Sequence, residues 1–121
     1  MPSRKAGTAR LDLFTDSLLL EVGDDTFLAK LSRLSPLVQG REGYCPLSRR
    51  YLGTVGHYCD VEQGIGLRRS KPGQALVFVE QGAVYTIQMA DLREVLHGVR
   101  PSCTISQELP TESRRAQGAK A

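Results

Sequence analysis

Apolar and polar positions alternate most clearly in two stretches of this chain, and each stretch ends in a short helical pattern. Leu76-Val77-Phe78-Val79 is a β-branched and aromatic run. Gln81-Gly82 can turn the chain, and Val84 to Met89 continues with Tyr, Thr and Ile. These residue types suit a pleated, half-buried surface, so the pattern predicts a β-hairpin. Asp91 then offers an N-cap and Glu94 completes a capping box. Leu92, Val95, Leu96 and Val99 share one helical face, with Leu96 the most central, and Gly98 and Pro101 stop the helix.

The earlier stretch has the same layout. Leu18, Leu20 and Val22 alternate, Gly23-Asp24-Asp25 turns, and Phe27, Ala29 and Leu31 alternate again. A helical turn around Pro36-Leu37-Val38 follows, with Ser35 as cap and Pro36 at the first helical position. An offset of 58 lays Leu18 on Leu76, Leu20 on Phe78, Phe27 on Tyr85, Leu34 on Leu92, Gly40 on Gly98 and Cys45 on Cys103. Either the chain has two similar halves, or any two hairpin-plus-helix segments align this well; the sequence leaves both open.

The remaining segments are less periodic. Residues 39–50 read as a loop rich in Gly, Arg, Ser and Pro. Short, glycine-interrupted strands are expected around Tyr51 to Val55, His57 to Val61 and Ile65 to Arg69, with a turn at Ser70-Lys71-Pro72-Gly73. Residues 1–10 read as a flexible basic arm and 106–121 as a disordered tail. The expected fold is therefore a single α+β domain over 11–105. It is a curved, mainly antiparallel sheet with one or two short helices on one face, and its core is drawn from Leu18, Leu20, Phe27, Leu31, Leu76, Phe78, Ile87, Leu92, Val95 and Leu96.

Composition narrows this picture. A chain of 121 residues with 40% hydrophobic and 24% charged residues suits one globular domain. No apolar run approaches the roughly 20 residues that span a bilayer, and no apolar segment follows the basic N-terminus as a secretory signal requires. The expected setting is the cytoplasm, where three unpaired cysteines would stay reduced. The net charge of +3 sits in the two tails and leaves the centre near neutral, unlike a strongly basic nucleic-acid module.

Candidate chemistry is sparse. His57 and Cys59 lie two apart on a strand, and Cys45, Cys103 or His97 could add ligands, but no local Cys-x-x-Cys or His-x-x-x-His pair is present. No metal and no cofactor are expected, and a thiol or metal enzyme ranks last. Gly53-x-x-Gly56 and Gly64-x-Gly66 lack the strand-to-helix setting of a phosphate cradle. The stronger signal is basic and aromatic: Arg41, Tyr44, Arg49, Arg50 and Tyr51, followed by Arg68, Arg69 and Lys71. Cations interleaved with rings suit single-stranded nucleic acid, where charge follows phosphates and rings stack on bases. The leading expectation is a small non-enzymatic nucleic-acid-binding module. A protein-interaction or assembly subunit, including a homo-oligomer, is the alternative.

Overall fold

The computed structural model describes residues 3–52, 57–71 and 73–108. Eight antiparallel strands close into a barrel in chain order. They are β1 (Ser3–Asp12), β2 (Ser17–Val22), β3 (Asp25–Lys30), β4 (Cys45–Leu52), β5 (Tyr58–Arg69), β6 (Ala75–Glu80), β7 (Ala83–Gln88) and β8 (Cys103–Glu108). Helix α1 (Leu31–Val38) links β3 to β4, and α2 (Met89–Leu96) links β7 to β8. No helix among the described residues is long and apolar enough to cross a membrane.

The closed barrel corrects the expected open α+β sheet, and the correction begins at the N-terminus. The segment expected as a flexible arm is β1, paired with β2 from Gly7↔Val22 to Asp12↔Ser17 and with β8 from Ser3↔Glu108 to Ala9↔Cys103. Its alternation is hard to see in a hydrophobicity reading because only the small Ala9 is fully buried there, with Ala6 and Leu11 partly buried against the core, while Arg4 and Arg10 stand exposed outside. Gly7 is required by packing: a Cβ would collide with the Glu21 carbonyl oxygen. At the other end Ser106 to Glu108 complete β8, so the expected tail starts too early; residues 109–121 lie outside the described residues.

The middle of the chain is also more regular than expected. Cys45 to Arg50 is strand, where a loop is expected. Of the three short strands expected next, the first contributes Tyr51 and Leu52 to the end of β4 and otherwise lies outside the described residues, and the other two are the single long strand β5. The glycines that interrupt the pattern mark bulges. Pairing of β4 with β5 slips between Pro46 and Ser48, where Gly64 takes a φ of 74°, and pairing of β1 with β8 slips between Lys5 and Gly7. Such slips bend strands and help a sheet close on itself. Eight strands leave an interior just wide enough for side chains. Leu18, Leu20, Phe27, Leu47, Leu67, Leu76, Phe78, Ile87 and Ile105 fill it.

Two tandem units build the barrel. The offset of 58 seen in the sequence carries β1-β2-β3-α1-β4 onto β5-β6-β7-α2-β8. Arg10↔Leu19 and Leu11↔Leu18 recur as Arg68↔Val77 and Arg69↔Leu76; Phe27↔Arg49 and Leu28↔Ser48 recur as Tyr85↔Gln107 and Thr86↔Ser106. Hydrogen bonds recur as well. Leu31 N donates to Asp16 O and Met89 N to Gln74 O; Gly40 N donates to Leu37 O and Gly98 N to Val95 O. Gly40 and Gly98 follow the helices at φ of 81° and 76°, where an L side chain is strained.

Both helices start earlier than expected. The N-caps are Lys30 and Gln88, neither making a side-chain cap bond, and Pro36 lies inside α1. Asp91 and Glu94 do not form a capping box; both pair with Arg100 instead. The one-turn shift rotates the buried face. Leu92 and Val95 are buried, but Leu96 and Leu31 are only half-buried and Val99 is 71% exposed. Because β3 and β7 run the same way around an antiparallel barrel, both helices lie across the same end, which Leu34, Leu37, Leu92 and Val95 close.

Candidate interaction surface

The helix-capped end is built from the two helices and the two turns beside them. The β1–β2 turn touches the start of α1 through Asp16 O, and the β5–β6 turn touches the start of α2 through Gln74 O. Arg69, at the end of β5, ties the β5–β6 turn to the end of α1: its guanidinium donates to Leu37 O at 3.1 Å, Val38 O at 2.7 Å and Gly73 O at 3.4 Å. A cation on the last carbonyls of a helix satisfies orphan acceptors and complements the helix dipole. Each helix therefore spans the barrel end between one turn and the other.

Between the helices lies a groove of about 450 Å³. Leu31, Leu34 and Val38 of α1 face Leu96 of α2 across it, with Ser35 and Arg93 at its rim. Beside it, the β1–β2 turn carries Leu13, 81% exposed, and Phe14, fully exposed. The turn is fixed rather than floppy: the Asp12 carboxylate accepts from Phe14 N at 3.2 Å and from the Thr15 hydroxyl at 2.7 Å. The Thr15 hydroxyl, then the Phe14 N–H and nearby Arg50 and Arg10, hold the Asp12 carboxyl below its ordinary value. A turn so braced presents its apolar side chains outward.

The eight basic and aromatic residues singled out in the sequence are divided among separate places. Arg49 points into the end of the barrel opposite the helices. It pairs with Glu80, lies 3.9 Å from Asp25 and sits over the Phe27 ring at 5.1 Å, with its side chain 16% exposed. Arg50 makes a two-pronged bond to Asp60 and covers the Tyr58 ring, and the Asp60 bond raises its pKa. Tyr51 is on the same ribbon and donates to Gln63 Oε1. Arg69 is engaged by α1. Arg41 follows α1 and Lys71 lies in the β5–β6 turn, while Tyr44 and Arg68 line a shallow hollow on the barrel wall with Gly64, Val77 and Val79. There Arg68 lies over the Tyr44 ring at 4.6 Å, and that ring rests on Gly66, where a Cβ would collide with it. Among the described residues Arg41, Arg68 and Lys71 have no acidic partner.

The metal-ligand candidates are not brought together. Cys45 and Cys103 are buried at matching places in the two units, and burial pushes both thiols up to about 11. Cys59 and His57 are exposed on the β4–β5 ribbon. Among the described residues no three His, Cys, Asp or Glu side chains are grouped to hold a metal ion.

Sequence reasoning missed Leu13, Phe14 and the groove. Leu13 and Phe14 stand out only once Ser3–Asp12 is known to be a strand, because the apolar pair then falls in a tight turn rather than at the start of a core. Half-buried Leu31 and Leu96 read as core because their helices were placed a turn too late. No family model, curated protein or solved structure matches this chain.

Proposed function

We propose that the protein is a non-enzymatic interaction subunit of the cytoplasm whose helix-capped end docks another protein. The observation that carries this reading is the fully exposed Phe14, held in a braced turn next to an apolar groove between two helices. Contiguous exposed apolar surface of this kind marks docking sites, whereas scattered single apolar residues do not. The filled barrel interior supports the same reading, because it leaves the surface, not a cavity, to carry recognition. The experiment is photo-crosslinking in cells from positions 14, 38 and 96, with position 24 in the β2–β3 turn at the opposite end as control. A discrete adduct from the first three positions and none from the control is the expected result. Adducts from position 24 alone, or from no position, would contradict the reading.

A second reading is favoured by one observation: the Arg68–Tyr44 stack on the barrel wall. A cation-flanked ring is a platform for a single-stranded base. With Arg49 and Arg69 engaged inside the fold, few cations are left to neutralise phosphates, so binding would be weak and lost at moderate salt. Retention of binding in Tyr44→Ala at low salt would remove this reading.

A further inference from the structure

We propose that the barrel wall between β5 and β6 binds an extended peptide segment with an apolar and an acidic side chain, which adds a strand where a rung of the barrel is missing. This seam lies apart from the groove between the helices, and its test does not depend on docking there.

The two tandem units pair the same strands, but at one seam not to the same extent. β1 and β2 pair from Gly7↔Val22 to Asp12↔Ser17, whereas the matched β5 and β6 pair only at Arg68↔Val77 and Arg69↔Leu76. The counterpart of Thr8↔Glu21 would join Gly66 to Val79, and it is not made. Gln81 and Gly82 both have positive φ, 52° and 79°, as in the tight turn that closes a hairpin on a hydrogen-bonded pair, here Glu80↔Ala83. Hydrogen-bonded and open pairs alternate along a ladder, so Val79 turns its N–H and carbonyl away from β7 and toward β5. Gly66 turns toward β6 by the same alternation, since it stands opposite Pro46, which has no N–H to give. The cause of the gap is in β5. Gln63, Gly64 and Ile65 stand against Leu47 alone, between the pairs Ser48↔Glu62 and Pro46↔Gly66, and a bulge of this kind bends its strand and ends pairing.

The N–H and carbonyl groups of Val79 and Gly66 therefore line the seam without a strand partner among the described residues. Another extended backbone matches their spacing. The hollow of about 240 Å³ over the seam sets which side chains it carries. Tyr44, Val77 and Val79 give apolar walls, and Val79 is 52% exposed. Arg68 is the one charged residue lining the hollow and has no acidic partner among the described residues. An apolar side chain beside Tyr44 and Val79, with a carboxylate two residues along the same strand face, meets both features. A single cation does little for a chain of phosphates, so the hollow favours a peptide over single-stranded nucleic acid.

Selection of phage-displayed heptapeptides on the full chain tests the proposal. Enriched peptides should carry an apolar and an acidic residue two apart. Synthetic copies should bind about tenfold more weakly when the amides of that stretch are N-methylated, because the added strand then loses its donors. Val79→Glu should weaken binding by about tenfold, since it sets a carboxylate against the peptide's own. Arg68→Gln should weaken it by about threefold, as for an exposed ion pair. Both side chains are exposed, so both variants should melt with the wild-type chain. No enriched set, a set that still binds Val79→Glu fully, or one indifferent to N-methylation overturns the proposal. Binding of a single-stranded oligonucleotide that Tyr44→Ala abolishes, with no peptide enriched, would give the hollow to nucleic acid instead.

Discussion

The two tandem units make the same strand pairings and the same helix-end hydrogen bonds, yet their sequences share little beyond apolar positions and a glycine after each helix. Phe27 stands where the second unit has Tyr85, Leu20 where it has Phe78, and Leu34 where it has Leu92. What the barrel requires is inward volume and a few backbone conformations, and many residues meet that requirement. At the helix-capped end matched positions differ in character, with Leu13 and Val99 where the other unit has Lys71 and Arg41, and Arg100 where it has Glu42. Exposed positions such as these carry little of what the barrel requires, so the two units are free to differ there.

If the units are structural equals, the same change in each should do the same damage. Leu34→Ala and Leu92→Ala, both at fully buried sites, should each destabilise the barrel by about 2–5 kcal/mol. Denaturant melts that differ widely between the two would show that one helix is not a true plug. A smaller effect should split the units. Arg69→Met removes two hydrogen bonds to the end of α1 and one to the β5–β6 turn, and should cost about 1.5–3 kcal/mol. Hydrogen exchange should then speed up in α1 and not in α2, whose matched position is Leu11. Gly40→Ala and Gly98→Ala should bring the units together again, each costing about 1–2 kcal/mol for a side chain in the left-handed region. The smallest effect concerns the thiols: a maleimide should label exposed Cys59 in the folded protein, while Cys45 and Cys103, buried and protonated at neutral pH, should react only on unfolding.

The contrast also explains what was legible in the chain. The two central hairpins could be read because Leu18 to Leu20 and Leu76 to Val79 are short apolar runs, each followed by a turn signal, at Gly23-Asp24-Asp25 and at Gln81-Gly82. The 58-residue echo could be read for the same reason. Closure could not. It depends on β1, where Ala9 is the one fully buried residue and Leu11 at the strand's end is only half-buried, and the stretch of small and basic residues before it carries no period-two signal. The bulges in β5 hid a long strand behind glycines. Helix registers slipped because Asp91 and Glu94 imitate a capping box while serving Arg100. For the site, residue type was informative only where the fold left a side chain free. Arg68 and Tyr44 stack at the surface, but Arg49 and Arg69, indistinguishable from them in sequence, are held by Glu80 and by helix carbonyls.

The account turns on the helix-capped end being the face that meets another molecule. Amide resonances of the labelled chain, recorded with and without unlabelled cell extract, report this residue by residue. The account predicts extract-dependent broadening at residues 13–16, 38–41 and 96–99, with residues 23–25 and 81–82 at the opposite end unmoved. Broadening centred on the opposite end or on the β4–β5 ribbon, or none in any extract, would contradict it.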